Sequence, residues 1–172
     1  TLTRSYDFSQ PCSMCFGNIG YVHPTTQTEA MPSTGSSTLT KQTTFTYDTP
    51  QRGNLTALKE WNFYSSTPGA TPDRETDISY QAISVPVFGL NGGPSFVSSS
   101  TIYKPSSVTT FTTYSSGSQV AQTLYTYDST SLSSVIGTVN HDDADYGTGD
   151  TQRGNPTVVS QWITSNSYLT ST

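Results

Sequence analysis

The chain has 172 residues, of which 11% are charged and about a third are Ser or Thr. An average domain is about 25% charged, and a chain this poor in charge but rich in Thr, Tyr and Val suits strands better than helices with solvated charged faces. The formal net charge of −5 leaves no basic surface for nucleic acid, and no apolar run reaches the roughly 20 residues that cross a bilayer. We therefore expect neither nucleic-acid partners nor membrane insertion.

The same composition indicates an ordered protein outside the cytoplasm. Its 11 Tyr, 7 Phe and 2 Trp supply apolar area that disordered segments lack. Few Lys residues, abundant Ser and Thr and an acidic balance favour a secreted or cell-surface location. The start, Thr1-Leu2-Thr3-Arg4, has neither an initiator Met nor the pattern of a signal peptide, so we expect a processed or excised part of a longer protein.

Residues 1–37 are predicted to form a degenerate first repeat. A short strand over 1–8 ends in Tyr6-Asp7, and Gly17-Asn18 follows at the place where later repeats also have a Gly-Asn pair. Residues 24–37 contain Pro, Thr, Ser and Gly without periodicity, which predicts a loop or linker.

Cys12 and Cys15 are the only cysteines in the sequence, in a Cys-x-x-Cys spacing. One such pair is half of a zinc site, which His23 and His141 could complete only if the fold brought them together. A redox motif would need a βαβ unit that the sequence does not show. Because disulfides are common outside the cytosol, we expect a structural disulfide between Cys12 and Cys15, with two free thiols as the main alternative.

Residues 38–114 are predicted to hold the first clear hairpin and additional strands. Apolar and polar residues alternate up to Tyr47, as in a half-buried strand, and Asp48 ends the strand because Asp side chains bond to nearby backbone amides in turns. Gly53-Asn54 tolerate positive φ where the chain reverses, and the returning strand carries Trp61. After a polar loop, strands are expected near 78–87, 95–103 and 107–114, the last two separated by Lys104-Pro105.

Residues 115–172 repeat this pattern with an insertion. Gln122-Thr123-Leu124-Tyr125-Thr126-Tyr127-Asp128 resembles residues 42–48, and Gln152-Arg153-Gly154-Asn155-Pro156-Thr157 resembles residues 51–56, each copy being followed at one fixed distance by Trp61 or Trp162. Two strings that recur in the same order indicate stacked supersecondary units. The insertion between the strings costs little, since each doubling of a surface loop costs about 0.6 kcal/mol.

Ten residues are assigned to the repeat turns: Tyr47, Asp48, Arg52, Gly53 and Asn54 in one copy, and Tyr127, Asp128, Arg153, Gly154 and Asn155 in the other. In each copy the Arg could bridge back to the Asp, an architectural contact worth about 0–1 kcal/mol if exposed. Trp61 and Trp162 are assigned to packing between hairpins, with stacking on sugar rings as the alternative.

A strand ending in Tyr-Asp, followed by Gly-Asn and a Thr that opens the next strand, resembles the YD repeat of the RHS family. These large secreted proteins include bacterial toxin shells and the teneurins. The resemblance covers residues 41–64, 119–164 and, in degenerate form, 6–19, with more residues between Asp and Gly than the family usually has. It implies a long β-sheet wound as a spiral of hairpins, with no active site in the repeats. The family's core with self-cleaving aspartates has no visible counterpart in this sequence.

The acidic insertion contains the best candidate for a bound ion. Asp143, Asp145 and Asp150 offer hard oxygen ligands on a flexible turn, as Ca²⁺ prefers. The loop departs from the EF-hand pattern, and a solvated acidic loop is the simpler interpretation. No other cofactor is expected.

No catalytic residue is assigned. Asp48 and Glu60 flank turns of a hairpin, where nothing aligns them as a pair of carboxylates across a cleft, and the sequence has no Gly-x-Ser-x-Gly string. Asn54-Leu55-Thr56 is the one usable N-glycosylation sequon, and the Ser/Thr-rich loops would suit O-linked glycans.

The predicted fold is therefore all-β, with tandem antiparallel hairpins of the YD type stacked as a continuous sheet or a two-layer sandwich, and almost no helix. Residues 167–172 followed by residues 1–7 make a threonine-rich run ending in Tyr-Asp, much like residues 37–48. We expect a structural, non-enzymatic unit whose terminal strands pair with further copies of itself, forming an extracellular fibre or shell. The alternatives are a carbohydrate-binding or adhesive module and a secreted hydrolase fragment.

Overall fold

The described part of the chain is all-β, as the composition predicted. A computed structural model describes residues 3–9, 23–33, 35, 37–48, 53–65, 67–88, 97–112, 117–131, 151–165 and 167–172. None of these residues is helical, and their strands form one antiparallel sheet. No helix in these segments is long and apolar enough to cross a bilayer.

Nine strands follow one another through this sheet in chain order. They are β1 (Thr3–Ser9), β2 (His23–Pro32), β3 (Thr38–Tyr47), β4 (Leu55–Tyr64), β5 (Arg74–Phe88), β6 (Val97–Phe111), β7 (Gln119–Tyr127), β8 (Pro156–Thr164) and β9 (Ser167–Ser171). Antiparallel neighbours can be joined by short hairpin connections, which suits a chain with so many turn signals. The described strands therefore form one continuous antiparallel sheet.

The chain divides into two compact units, each containing one Tyr-Asp hairpin. The first unit contains Thr1–Ile78 and Val108–Gln122, and the second contains Ser79–Ser107 and Thr123–Thr172. The hairpin of the first unit is β3 with β4, and that of the second is the end of β7 with β8.

Strand β2 corrects the prediction of a loop or linker over residues 24–37, because residues 24–32 belong to this strand. β2 pairs on both sides, so that Thr26 lies opposite Asp7 on β1 and opposite Thr44 on β3. Ladders on two sides satisfy its backbone, and Thr fits a pleated surface well. A strand of Thr and Gln lacks the apolar alternation by which a strand is detected in sequence.

Strand β6 also differs from the prediction, since it runs unbroken through Lys104-Pro105 where two strands were expected. A proline removes one backbone donor but keeps its carbonyl. In this strand the Pro105 carbonyl has a partner of its own, which is described below.

The described residues contain little buried apolar surface. Among the residues whose side chains the structure describes, Ile83 and Pro72 are the only buried apolar side chains, whereas Ile163 and Leu169 are more than half exposed. A sheet normally buries one face against a second layer, but few of the described side chains are buried. Backbone ladders and cross-strand side-chain pairs therefore carry much of the stability of this part.

Candidate functional site

The hairpin turn of the first unit is closed by the side chain of Asp48. Its Oδ1 accepts a hydrogen bond from the backbone N–H of Asn54 at 3.0 Å, and its Oδ2 accepts one from the Asn54 side-chain amide at 2.9 Å. The backbone N–H of Asp48 donates to the Asn54 carbonyl at 2.9 Å. We call this closure, in which the Asp after β3 or β7 binds the first residues of the returning strand, the Asp clasp.

The second unit has the same clasp with a different set of donors. Oδ2 of Asp128 accepts hydrogen bonds from the backbone N–H groups of Arg153 at 3.0 Å and Gly154 at 2.8 Å. Oδ1 accepts from the Asn155 N–H at 3.0 Å, and the Asp128 N–H donates to the Asn155 carbonyl at 3.0 Å. Three backbone donors on one carboxylate make this a strong, charge-assisted closure.

The clasp keeps its form across very different loop lengths. Asp48 and Asn54 are six positions apart, whereas Asp128 and Asn155 are 27 positions apart. In both copies the strand register shifts just before the clasp, between Thr46 and Tyr47 and between Thr126 and Tyr127. A bulge of this kind bends the strand and redirects its side chains. The carboxylate, and not the loop, therefore defines the turn.

The two clasp glycines have positive φ angles, 67° at Gly53 and 72° at Gly154. Only glycine adopts this left-handed region at low cost. A Cβ at Gly53 would meet open space, but a Cβ at Gly154 would lie 2.7 Å from Cδ1 of Ile102. Gly154 is therefore required by its backbone angle, and a side chain there would also displace the end of the Ile102 side chain on β6.

The threonine that opens each returning strand also has a defined role. Thr56 donates its hydroxyl to the carbonyl of Thr46 at 3.1 Å, and Thr157 donates to the carbonyl of Thr126 at 3.1 Å. Each acceptor is the residue just before the bulge. The Thr of the repeated string therefore satisfies a carbonyl at the point where the ladder is disturbed.

A tyrosine–proline contact precedes each clasp. The hydroxyl of Tyr47 donates to the Pro24 carbonyl on β2 at 3.0 Å, and that of Tyr127 donates to the Pro105 carbonyl on β6 at 2.7 Å. Burial raises the pKa of both phenols, so both hydroxyls remain protonated donors at neutral pH. Sequence reasoning missed this contact, although a proline stands 23 and 22 positions before the two tyrosines.

Trp61 contacts the connection that follows its own strand. Trp61 is half-buried, lies opposite Gln42, and donates from Nε1 to the Gly69 carbonyl at 2.9 Å in the connection to β5. Phe45 lies opposite Leu58, so Phe45 and Trp61 are on opposite faces of the hairpin. Trp61 therefore fixes the connection that follows its own strand.

Trp162 is half-buried and lies opposite Tyr168 across β8 and β9. Of the predicted bridging arginines, Arg153 reaches the clasp through its backbone amide. The remaining predicted site residues lie outside the described segments: Arg52, Cys12, Cys15, Asp143, Asp145 and Asp150. Where the structure is described, no three His, Cys, Asp or Glu side chains are placed to hold a metal ion.

A cleft of about 390 Å³ lies beside the clasp of the second unit. Its lining residues are Gln81, Ala82, Ile83, Ser84, Tyr127, Asp128, Thr151 and Gln152. Asp128 is the one charged residue of this lining, and both of its carboxylate oxygens already accept backbone hydrogen bonds. The amide and hydroxyl groups of this lining suit a neutral, hydroxyl-bearing ligand better than an ion.

Comparison with known proteins finds no matching family model, no similar curated protein and no similar solved structure.

Proposed function

We propose that the chain is a structural, non-enzymatic β-repeat unit of the YD type, secreted or on the cell surface, which assembles head to tail with further copies into a fibre or shell. Its two hairpins share the Asp clasp, the tyrosine–proline contact and the threonine hydrogen bond at equivalent positions. Such conserved architectural contacts within a chain are typical of repeat proteins, whose units bury their surfaces mainly against neighbours.

The observation that carries this proposal is the register of the last strand pair. Leu58 and Val159 each stand five positions after the clasp glycine, and they lie opposite Thr76 and Ser171, respectively. The residues that follow them, Lys59 and Ser160, lie opposite Glu75 and Thr170. Strand β9 therefore corresponds to the first part of β5.

Strand β5 is longer than β9, and a neighbouring copy would supply the residues that β9 lacks. β5 and β6 each have 15 residues, and β9 has five. β9, the three residues that would connect two copies, and β1 of the next copy would together make 15 residues. We infer that β9 and the next β1 lie in line as one strand equivalent to β5.

The edges of the sheet are consistent with this assembly. β1 and β9 are the first and last strands, each with one neighbour among the strands that the structure describes. Their exposed residues include Tyr6, Tyr168 and Leu169. Strand edges with exposed apolar side chains pair readily with other strands.

Sedimentation velocity over a range of concentrations tests this proposal. We expect linear species that grow with concentration, and a Leu169→Lys variant that needs at least about tenfold more protein to form them, because a Lys on an edge strand blocks pairing. Ile163→Lys is the matched control, since Ile163 is similarly exposed, at 56% against 64%, but lies on the interior strand β8. A concentrated wild-type chain that stays monomeric would contradict the proposal.

A carbohydrate-binding module is the second candidate, and the neutral polar cleft beside Asp128 favours it. The test is binding to a glycan array. Binding by the wild type that is lost in Gln81→Ala or Gln152→Ala, while the sedimentation of these variants stays unchanged, would support the carbohydrate-binding function. Trp61 is the weaker candidate for sugar stacking because its ring is half-buried and its Nε1 is bound to Gly69.

A further inference from the structure

Glu75 is the one buried charged residue in the described segments. Its side chain is 3% exposed, and its Oε1 lies 3.4 Å from Nζ of Lys59. Its second oxygen, Oε2, is buried and receives no hydrogen bond from an N–H or O–H donor, while the Asp77 carboxyl group lies within hydrogen-bonding reach of the Glu75 side chain. Native proteins rarely leave a buried carboxylate oxygen without a partner, so this atom requires an explanation.

Two ionisable side chains, those of Lys59 and Asp77, lie next to Glu75. Lys59 and Glu75 lie directly opposite each other across β4 and β5, and Asp77 lies two positions along on the same face of β5. Burial and then the nearby Asp77 charge raise the pKa of Glu75, while Lys59 lowers it. Burial favours the neutral pair, an amine and a carboxylic acid, over two separate charges.

The second unit shows that the fold does not need a charged pair here. Ser160 and Thr170 occupy the positions equivalent to Lys59 and Glu75, and their hydroxyl oxygens lie 3.0 Å apart in a hydrogen bond. A neutral contact therefore satisfies this register. Two other ion pairs between strand neighbours, Arg4 with Glu29 and Arg74 with Glu60, are placed at the surface, with the arginine side chains 56% and 61% exposed.

The connection after β4 is fixed beside the pair. Trp61, on the same face as Lys59, donates to the Gly69 carbonyl. Asp73 accepts from the Asn62 N–H at 2.7 Å through its side chain and donates its own N–H to the Glu60 carbonyl at 2.9 Å. These contacts hold the end of β4 and the start of β5 in one geometry, which is the condition under which two side chains react efficiently.

We propose that Lys59 and Glu75 join in an amide bond between their side chains. A proton passes from the Lys59 ammonium by way of Asp77 to Oε2 of Glu75, and the neutral amine then attacks the carboxyl carbon. The C–N bond forms, the bond from carbon to Oε2 breaks, and a second proton from the nitrogen reaches the departing oxygen through Asp77. One water leaves, carrying Oε2 and the two protons that began on Lys59, and no other reagent is needed.

The product resolves the anomaly at Glu75. Oε2 departs, the buried charge of Glu75 and the partly exposed charge of Lys59 disappear, and β4 becomes covalently joined to β5. This inference is independent of the proposed assembly, because both residues belong to one chain and one unit.

Mass spectrometry of the reduced, purified chain tests the amide. The expected mass is that of the sequence less one water, and trypsin should fail to cleave after Lys59, leaving residues 53–74 joined to residues 75–153 because Lys104 precedes a proline. Lys59→Ser/Glu75→Thr, which installs the pair of the second unit, should have the full mass of its sequence. Asp77→Asn should show delayed loss of water.

Two results would overturn the amide, and a third would overturn the role of Asp77 in its formation. A wild-type chain of full mass that is cleaved after Lys59 excludes the amide, and a loss of water that maps to other residues assigns it elsewhere. Water loss at an unchanged rate in Asp77→Asn removes the relay from the scheme. The wild-type measurement requires no variant to fold, so it decides the main question alone.

Discussion

The hydroxyl of Tyr127 donates a 2.7 Å hydrogen bond to the carbonyl of Pro105. This bond ties the end of β7 to the preceding strand, β6, while the next residue, Asp128, ties it to the following strand through Asn155. Tyr47 and Asp48 do the same for β2, β3 and β4 through Pro24 and Asn54. Each Tyr-Asp pair therefore connects three consecutive strands, which is a physical reason for these two residues to recur together.

Removing one hydroxyl should weaken this connection measurably. Tyr127→Phe leaves the half-buried Pro105 carbonyl without its donor, and we expect a loss of about 1 kcal/mol in the free energy of unfolding, measured in urea. Tyr125→Phe, two positions earlier on the same strand, is the control. Equal unfolding midpoints for the two variants would contradict the role given to Tyr127.

The clasp carboxylate should matter more than the loop that it closes. Asp128→Asn keeps the size of the side chain but replaces one acceptor oxygen with an NH2 donor. In one orientation of the amide this donor faces the N–H groups of Arg153 and Gly154, and in the other it faces the N–H of Asn155. We expect a loss of about 2–3 kcal/mol in the free energy of unfolding. If Asp128→Asn lowers the free energy of unfolding by no more than an ordinary surface substitution does, the loop closes without the carboxylate.

Exchanging the loops tests the same point from the other side. When residues 129–153 are replaced by residues 49–52 of the first copy, the chain should still fold and should gain about 1 kcal/mol, because the closed loop is shorter. The gain is measured by urea unfolding against the wild type. An unfolded product would mean that the insertion itself is part of the structure of the second hairpin.

The clasp glycines should differ in their tolerance of a methyl group. Gly53→Ala should cost about 1 kcal/mol for a positive φ alone, whereas Gly154→Ala should cost somewhat more, about 1–2 kcal/mol, because its Cβ would also displace the end of the Ile102 side chain. Adding Ile102→Val to Gly154→Ala should recover part of the difference. Thermal unfolding of the variants checks this order, and equal losses at both glycines would refute the close approach.

The turns could be predicted because their determinants are local and repeated. A carboxylate after a strand and a glycine before the next one stand in one order in both copies, so Asp48, Gly53, Asp128 and Gly154 were identified from the strings alone. The identity of the clasp donors could not be predicted, since Asp48 uses the Asn54 side chain while Asp128 uses the backbone of Arg153. That choice depends on how each loop enters the returning strand.

Contacts between distant strands could not be predicted from the sequence. Strand β2 is not predicted because its Thr and Gln residues show no alternation of apolar and polar side chains. The pairing of Lys59 with Glu75 is not predicted because it depends on the strand register, and β-bulges in the neighbouring β3–β4 hairpin shift that register. Only the spacing of Pro24 and Pro105 from their tyrosines offered a usable signal. A search for residues at matching offsets from each Tyr-Asp pair would have found it.

Glu75 should also give the chain a measurable pH dependence once the amide is prevented. In Lys59→Met no amide can form, and the influence that lowers the pKa of Glu75 is removed, while burial and Asp77 still raise it. The native state then binds the Glu75 proton more tightly than the unfolded chain. The stability that protonated Glu75 contributes to Lys59→Met is therefore fully present below the ordinary pKa of Glu, and it is lost as the pH rises through the raised pKa.

The free energy of unfolding of Lys59→Met, measured in urea between about pH 4 and pH 8, checks this sign. Lys59→Met/Glu75→Gln is the control because it lacks the titrating group. The double variant should become the more stable of the two as the pH rises, by about 3 kcal/mol at neutral pH. A difference that stays constant with pH would contradict the burial of a free Glu75 carboxyl.

The central claim is that β9 of one copy and β1 of the next form a single strand. It is tested most directly by the unfolding temperature of two copies joined from Thr172 to Thr1, compared with that of one copy. If the joined strand forms, each copy gains a neighbour, and the tandem chain should unfold in one transition at least about 5 °C above the single copy. A tandem chain that unfolds at the temperature of the single copy would contradict the claim.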